Sequence, residues 1–121
     1  MSRLALLAIF IFFAGFVPPA TAADYECSNG KIKKGASTKY TYQWSGAKLT
    51  IKKSGSTKGY AQKSGKGYAV KVKGITKAKI EGGKIKDKGR TWEKVSEAQK
   101  TYDCPDEIAA TLWVLDKVGA L

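Results

Sequence analysis

Apolar and polar residues alternate through most of the middle of this chain. Lys31-Ile32-Lys33, Lys48-Leu49-Thr50-Ile51-Lys52, Val70-Lys71-Val72-Lys73, Lys77-Ala78-Lys79-Ile80 and Lys84-Ile85-Lys86 all share the pattern. Successive side chains of a strand point to opposite faces, so each segment would bury one face and present lysine on the other. Tyr40, Tyr42 and Trp44 share parity, as do Tyr68, Val70 and Val72. Turn-forming residues punctuate the pattern: Ser28-Asn29-Gly30, Ser45-Gly46, Ser54-Gly55-Ser56, Ser64 to Gly67, Gly82-Gly83 and Lys88-Gly89. The spacing predicts strands over 39–44, 47–52, 59–62, 68–73, 77–80, 84–86 and 90–95, with Trp92 as a core residue. The expected fold is mainly β, a small antiparallel sheet or barrel of about six to seven short strands. Lys53–Tyr60 and Lys63–Tyr68 echo each other as a lysine-bearing Ser-Gly turn leading to Gly-Tyr, which reads as repeated hairpin chemistry rather than a solenoid.

Both ends depart from this pattern. Residues 1–22 read as a secretory signal peptide: Arg3, an apolar run from Leu4 to Val17, Pro18-Pro19, and Ala20-Thr21-Ala22 as a cleavage site, with cutting after Ala22 or Ala23. The run is shorter than the roughly 20 residues of a bilayer span. One domain is expected over 23–121, exported to a bacterial periplasm or beyond. At the other end, Pro105-Asp106-Glu107 suits a first helical turn, and Ile108, Leu112 and Leu115 form an apolar stripe. A helix over about 105–118, ended by Gly119, would cover a face or end of the sheet.

Charge sharpens the picture. Of a formal +12, most sits between Lys31 and Arg90, which hold eighteen basic residues against Glu81 and Asp87 alone. Lysine dominates, and it is a hydrated point charge suited to diffuse, salt-sensitive attraction. Lys48, Lys52, Lys71, Lys73, Lys77, Lys79, Lys84 and Lys86 form the candidate anion-binding face. A merely solubilising face has the same composition. Tyr40, Tyr42, Tyr60 and Tyr68 interleave with lysines and would offer a stacking platform, although the parity of Tyr40, Tyr42 and Tyr68 points inward.

Catalytic chemistry is poorly served. The chain has no histidine, which removes the usual general base and metal ligand. Cys27 and Cys104, in an exported chain, read as one disulfide. A loop of that length is worth roughly 4.5 kcal/mol in the chain-entropy treatment. No enzyme activity, metal or cofactor is expected, and no motif fits a phosphate-binding loop.

Several motifs resemble a known family. Tyr25-Glu26-Cys27-Ser28-Asn29-Gly30, Ser64-Gly65-Lys66-Gly67-Tyr68, Lys73-Gly74 followed by Ala78-Lys79-Ile80, and Cys104 occur in the order seen in exported bacterial inhibitors of c-type lysozyme. The resemblance implies a small β-barrel with a loop that enters the lysozyme cleft, where Ser64 and Lys73 would meet the catalytic carboxylates. Two readings of function follow. The first is a non-catalytic binding protein whose lysine face engages an anionic macromolecule: an envelope polymer, lipid head groups or nucleic acid. The alternative is a lysozyme inhibitor acting through Ser64 and Lys73.

Overall fold

The computed structural model describes residues 23–121; the expected signal peptide lies outside the described residues. Nine strands follow one another as a meander: β1 (Tyr25–Ser28), β2 (Lys31–Lys34), β3 (Ser37–Ser45), β4 (Lys48–Lys53), β5 (Ser56–Ser64), β6 (Gly67–Val72), β7 (Ile75–Glu81), β8 (Lys84–Asp87) and β9 (Arg90–Lys94). Helix α1 (Val95–Thr101), the short strand β10 (Tyr102–Asp103) and helix α2 (Asp106–Lys117) complete the chain. Strand β10 lies parallel to β1, so the order is β10-β1-β2-β3-β4-β5-β6-β7-β8-β9 in one ten-stranded sheet. The expectation of six to seven strands is corrected to ten, and the barrel alternative to an open sheet, because β9 and β10 are not paired.

Two-residue hairpins make the meander possible. Asn29-Gly30, Ser54-Gly55, Lys73-Gly74 and Lys88-Gly89 all have positive φ at both residues, the geometry whose twist matches that of the flanking strands. The register is regular through β1–β2, β3–β4, β5–β6 and β7–β8, but shifts within β2–β3, β4–β5, β6–β7 and β8–β9. Every second hairpin thus carries a bulge, always near the same end of the sheet. The extra residues are Lys39, Lys58, Lys77 and Trp92. Bulges bend and twist a strand, and four at one end curl the sheet.

Helix α2 lies in the resulting trough. It packs along β5, β6 and β7 and also touches β10 from the far side. Helix α1 carries the chain from β9 to β10; seven residues span only about 10 Å, so the two sheet edges approach each other. Ile108, Ala109, Ala110, Thr111, Leu112, Val114 and Leu115 are all buried, as suits a helix enclosed on most sides. They meet Ile32, Leu49, Ile51, Val70, Ile80 and Ile85 from the sheet in one core. Fully burying side chains such as Ile108, Leu112 and Leu115 stabilises by about 1.5–3 kcal/mol each. Gly59 admits the helix: a Cβ there would sit 2.5 Å from Leu115 Cδ2.

The helix ends as its sequence requires. Gly119 has φ 75°, its N–H bonds to the Asp116 carbonyl at 3.1 Å, and the Ala120 N–H bonds to the Leu115 carbonyl at 2.8 Å, a paired closure of the last turn. At the start, Gln99 Nε2 donates to the Cys104 carbonyl at 3.0 Å and to Asp106 Oδ1 at 2.8 Å. The Cys27–Cys104 disulfide ties β1 to the residue two before α2, across 77 positions. Trp92 is not a core residue: it is 38% exposed. It stands edge-on to Trp113 of α2 with centroids 4.9 Å apart.

Candidate binding face

The face of the sheet opposite α2 is uncovered, and pairing registers define its contents. One cross-strand row reads Ser28, Lys31, Thr41, Lys52, Thr57. The next reads Gln43, Thr50, Tyr60, Lys71, Thr76. A third reads Ser45, Lys48, Gln62, Ala69, Lys79, Lys86, Thr91. Directly opposite residues in such rows have Cβ atoms about 4.5–5.5 Å apart. The face is therefore a continuous field of lysine, threonine, serine and glutamine, convex because the sheet curls the other way.

Six of the eight expected lysines lie on this face: Lys48, Lys52, Lys71, Lys79, Lys84 and Lys86. Lys77 does not. It is the extra residue of the β6–β7 bulge, and an extra residue reverses the alternation that placed it there. With Lys58, the equivalent bulge residue of β5, it lines a cleft with Val118, Gly119 and Ala120 at the end of α2, where cations suit the negative end of the helix dipole. Lys73 also lies off the face: it occupies a hairpin turn with φ 52°. Ser64 and Lys73 are not brought together. Ser64 precedes the turn into β6 and Lys73 follows its other end, with all six residues of β6 between them, roughly 20 Å of strand.

Charge is uneven across the face. Among the described residues only two ion pairs form, Lys86–Glu81 at 3.4 Å and Lys100–Glu97 at 2.8 Å, the latter on α1. Glu81 compensates the β7–β8 side of the face, and Glu26 stands opposite Lys33 on the β1–β2 side. Between them Lys31, Lys48, Lys52, Lys71 and Lys79 have no acidic partner. Tyr60 sits at the centre, between Thr50 and Lys71, with the Lys48 ammonium 4.3 Å above its ring centroid, a favourable cation–π distance.

Parity turns Tyr40, Tyr42 and Tyr68 inward, and Tyr60 alone of the four stands on the outer face. Those three face α2. The structure also brings in Gln43, Thr50 and Gln62, which strand parity alone would have found, and Thr57 and Thr76, which only the bulges turn to this face. Trough-side tyrosines are perturbed: burial first, then the nearby Asp116 carboxylate, pushes the Tyr102 phenol well above its ordinary value. Burial and then Tyr25 do the same for Tyr40. No cluster of acids and cysteines fit to hold a metal occurs among the described residues, and no helix there is long and apolar enough to cross a membrane. Comparison with protein families, with curated proteins and with solved structures finds no match, so the face is read from its own geometry.

Proposed function

We propose that this protein is a non-catalytic, exported binding protein whose convex lysine face engages an anionic macromolecule. One observation carries the reading: Lys31, Lys48, Lys52, Lys71 and Lys79 share one continuous polar face with no acid paired to them, while the acids concentrate elsewhere. Lysine ammoniums arranged this way attract polyanions by displacing counterions, a term that falls steeply with salt. Export is in keeping with the Cys27–Cys104 disulfide, which persists in oxidising compartments.

The test is elution from immobilised heparin in a salt series, comparing the mature protein with the Lys48→Gln/Lys52→Gln/Lys71→Gln variant. On duplex DNA each neutralised phosphate adds about 0.9 to the log–log salt slope. By that measure the variant should lose roughly two to three units of slope and elute at lower salt. Retention by heparin that is independent of salt, or equal for the two proteins, contradicts the reading.

A further inference from the structure

The bulged hairpins place the same small group four times along one rim of the open face. Each bulge leaves a lysine directly opposite a threonine: Lys33 with Thr38, Lys52 with Thr57, Lys71 with Thr76, and Lys86 with Thr91. Every lysine stands at the same distance in sequence from the hairpin turn that follows it. The pairs recur every second strand and step by one cross-strand row each time, so they run diagonally with a spacing of roughly 12 Å. A flexible lysine stem can take up a few ångströms, so that step accommodates about two hexose rings of an extended glycan. The outer lysines face Glu26 and Glu81, whereas Lys52 and Lys71 are unpaired among the described residues.

Resting on the function proposed above, we infer that this face is a track for a linear acidic polysaccharide. The chain runs across the strands, with an acid group at each lysine–threonine pair and its ring hydroxyls on the amides and hydroxyls between. An ammonium and a hydroxyl side by side satisfy both oxygens of a carboxylate, and Thr50, Gln43 and Gln62 supply both donors and acceptors for sugar hydroxyls.

The same face suits other polyanions less well. Base stacking needs free aromatic faces, yet Tyr60 carries Lys48 over its ring and the remaining aromatic side chains of the sheet lie on the trough side. Arg90 is the sole arginine among the described residues, against the usual preference for forked guanidinium contacts to phosphate. A lipid surface calls for apolar anchors beside the charge. Among the described residues the exposed large apolar side chains are Trp44, Ile75 and Trp92; they pair with or pack against trough-side residues Leu49, Val72 and Trp113.

Calorimetric titration with hyaluronan oligosaccharides, which carry a carboxylate on alternate rings, tests this directly. Affinity should rise stepwise as length grows from about four to about ten rings and successive pairs are engaged. Lys52→Gln/Lys71→Gln should weaken binding by about tenfold or more, and Lys52→Arg/Lys71→Arg should retain most of it. Lys58→Gln/Lys77→Gln, with the same charge change but off the face at the end of α2, should cost less than about threefold. Equal losses in the two glutamine variants, or affinity that does not depend on length, overturn the track. Binding of duplex DNA or phosphatidylglycerol vesicles without hyaluronan binding overturns it while leaving the polyanion function standing. No binding to heparin, DNA, vesicles or hyaluronan removes both.

Discussion

The two faces of the sheet are written by the same alternation and have opposite characters. The trough face packs Ile32, Leu49, Ile51, Val70, Ile80 and Ile85 against α2. The outer face, one residue out of step on each strand, holds lysine, threonine and glutamine with almost no charge compensation. On the proposed function, the contrast separates stability from binding: the trough holds the fold, and the outer face is free to vary in charge. Only the bulges break the division, sending Lys58 and Lys77 to the trough rim at the end of α2.

The largest test of that separation is covalent. Replacing Cys27 and Cys104 by alanine removes the link between β1 and the start of α2. It should lower unfolding stability in urea by up to about 4.5 kcal/mol, as reduced loop entropy predicts. Leu112→Ala, fully buried in the helix stripe, should cost about 2–5 kcal/mol and leave heparin elution of the folded protein unchanged. Gly59→Val drives side-chain atoms into Leu115 and should cost about 1–3 kcal/mol as the helix shifts outward. In contrast, Lys52→Gln/Lys71→Gln on the outer face should change stability by no more than about 0.5 kcal/mol per site. A large stability loss there would show that the outer lysines serve the fold.

The trough also has a pH signature. Tyr102 and Tyr40 have phenols raised above their ordinary value of about 10. An unfolded chain ionises these groups first, so above that pH the unfolded state holds fewer protons and gains relative stability. Their contribution is complete below pH about 10 and is lost as pH climbs towards the folded values. Melting temperature should fall across that alkaline window, and Tyr102→Phe should flatten the fall while keeping the ring's packing.

Much of this was legible in the residues, and the illegible part has physical causes. Parity placed Lys48, Lys52, Lys71, Lys79, Lys84 and Lys86 together, and the Ile108-Leu112-Leu115 stripe with Gly119 delimited α2 to within a residue or so. Strands β1 and β10 are too short for alternation to stand out, and in β2 it covers only Lys31-Ile32-Lys33. Helix α1 lacks a capping signal: Lys94 precedes it with no side-chain cap, and only Val95 and Ala98 are buried. The bulges escaped because parity assumes an unbroken ladder. Their signal was present as Thr38-Lys39, Thr57-Lys58 and Thr76-Lys77 at equal intervals. The Ser-Gly echo at 53–60 and 63–68 hid it by aligning an unbulged hairpin with a bulged one.

The most direct measurement is the salt dependence of heparin binding for residues 23–121 beside the Lys48→Gln/Lys52→Gln/Lys71→Gln variant. A steep slope is expected for the former and a loss of roughly two to three units in the latter, with urea midpoints nearly equal. Equal slopes would contradict the proposed binding face.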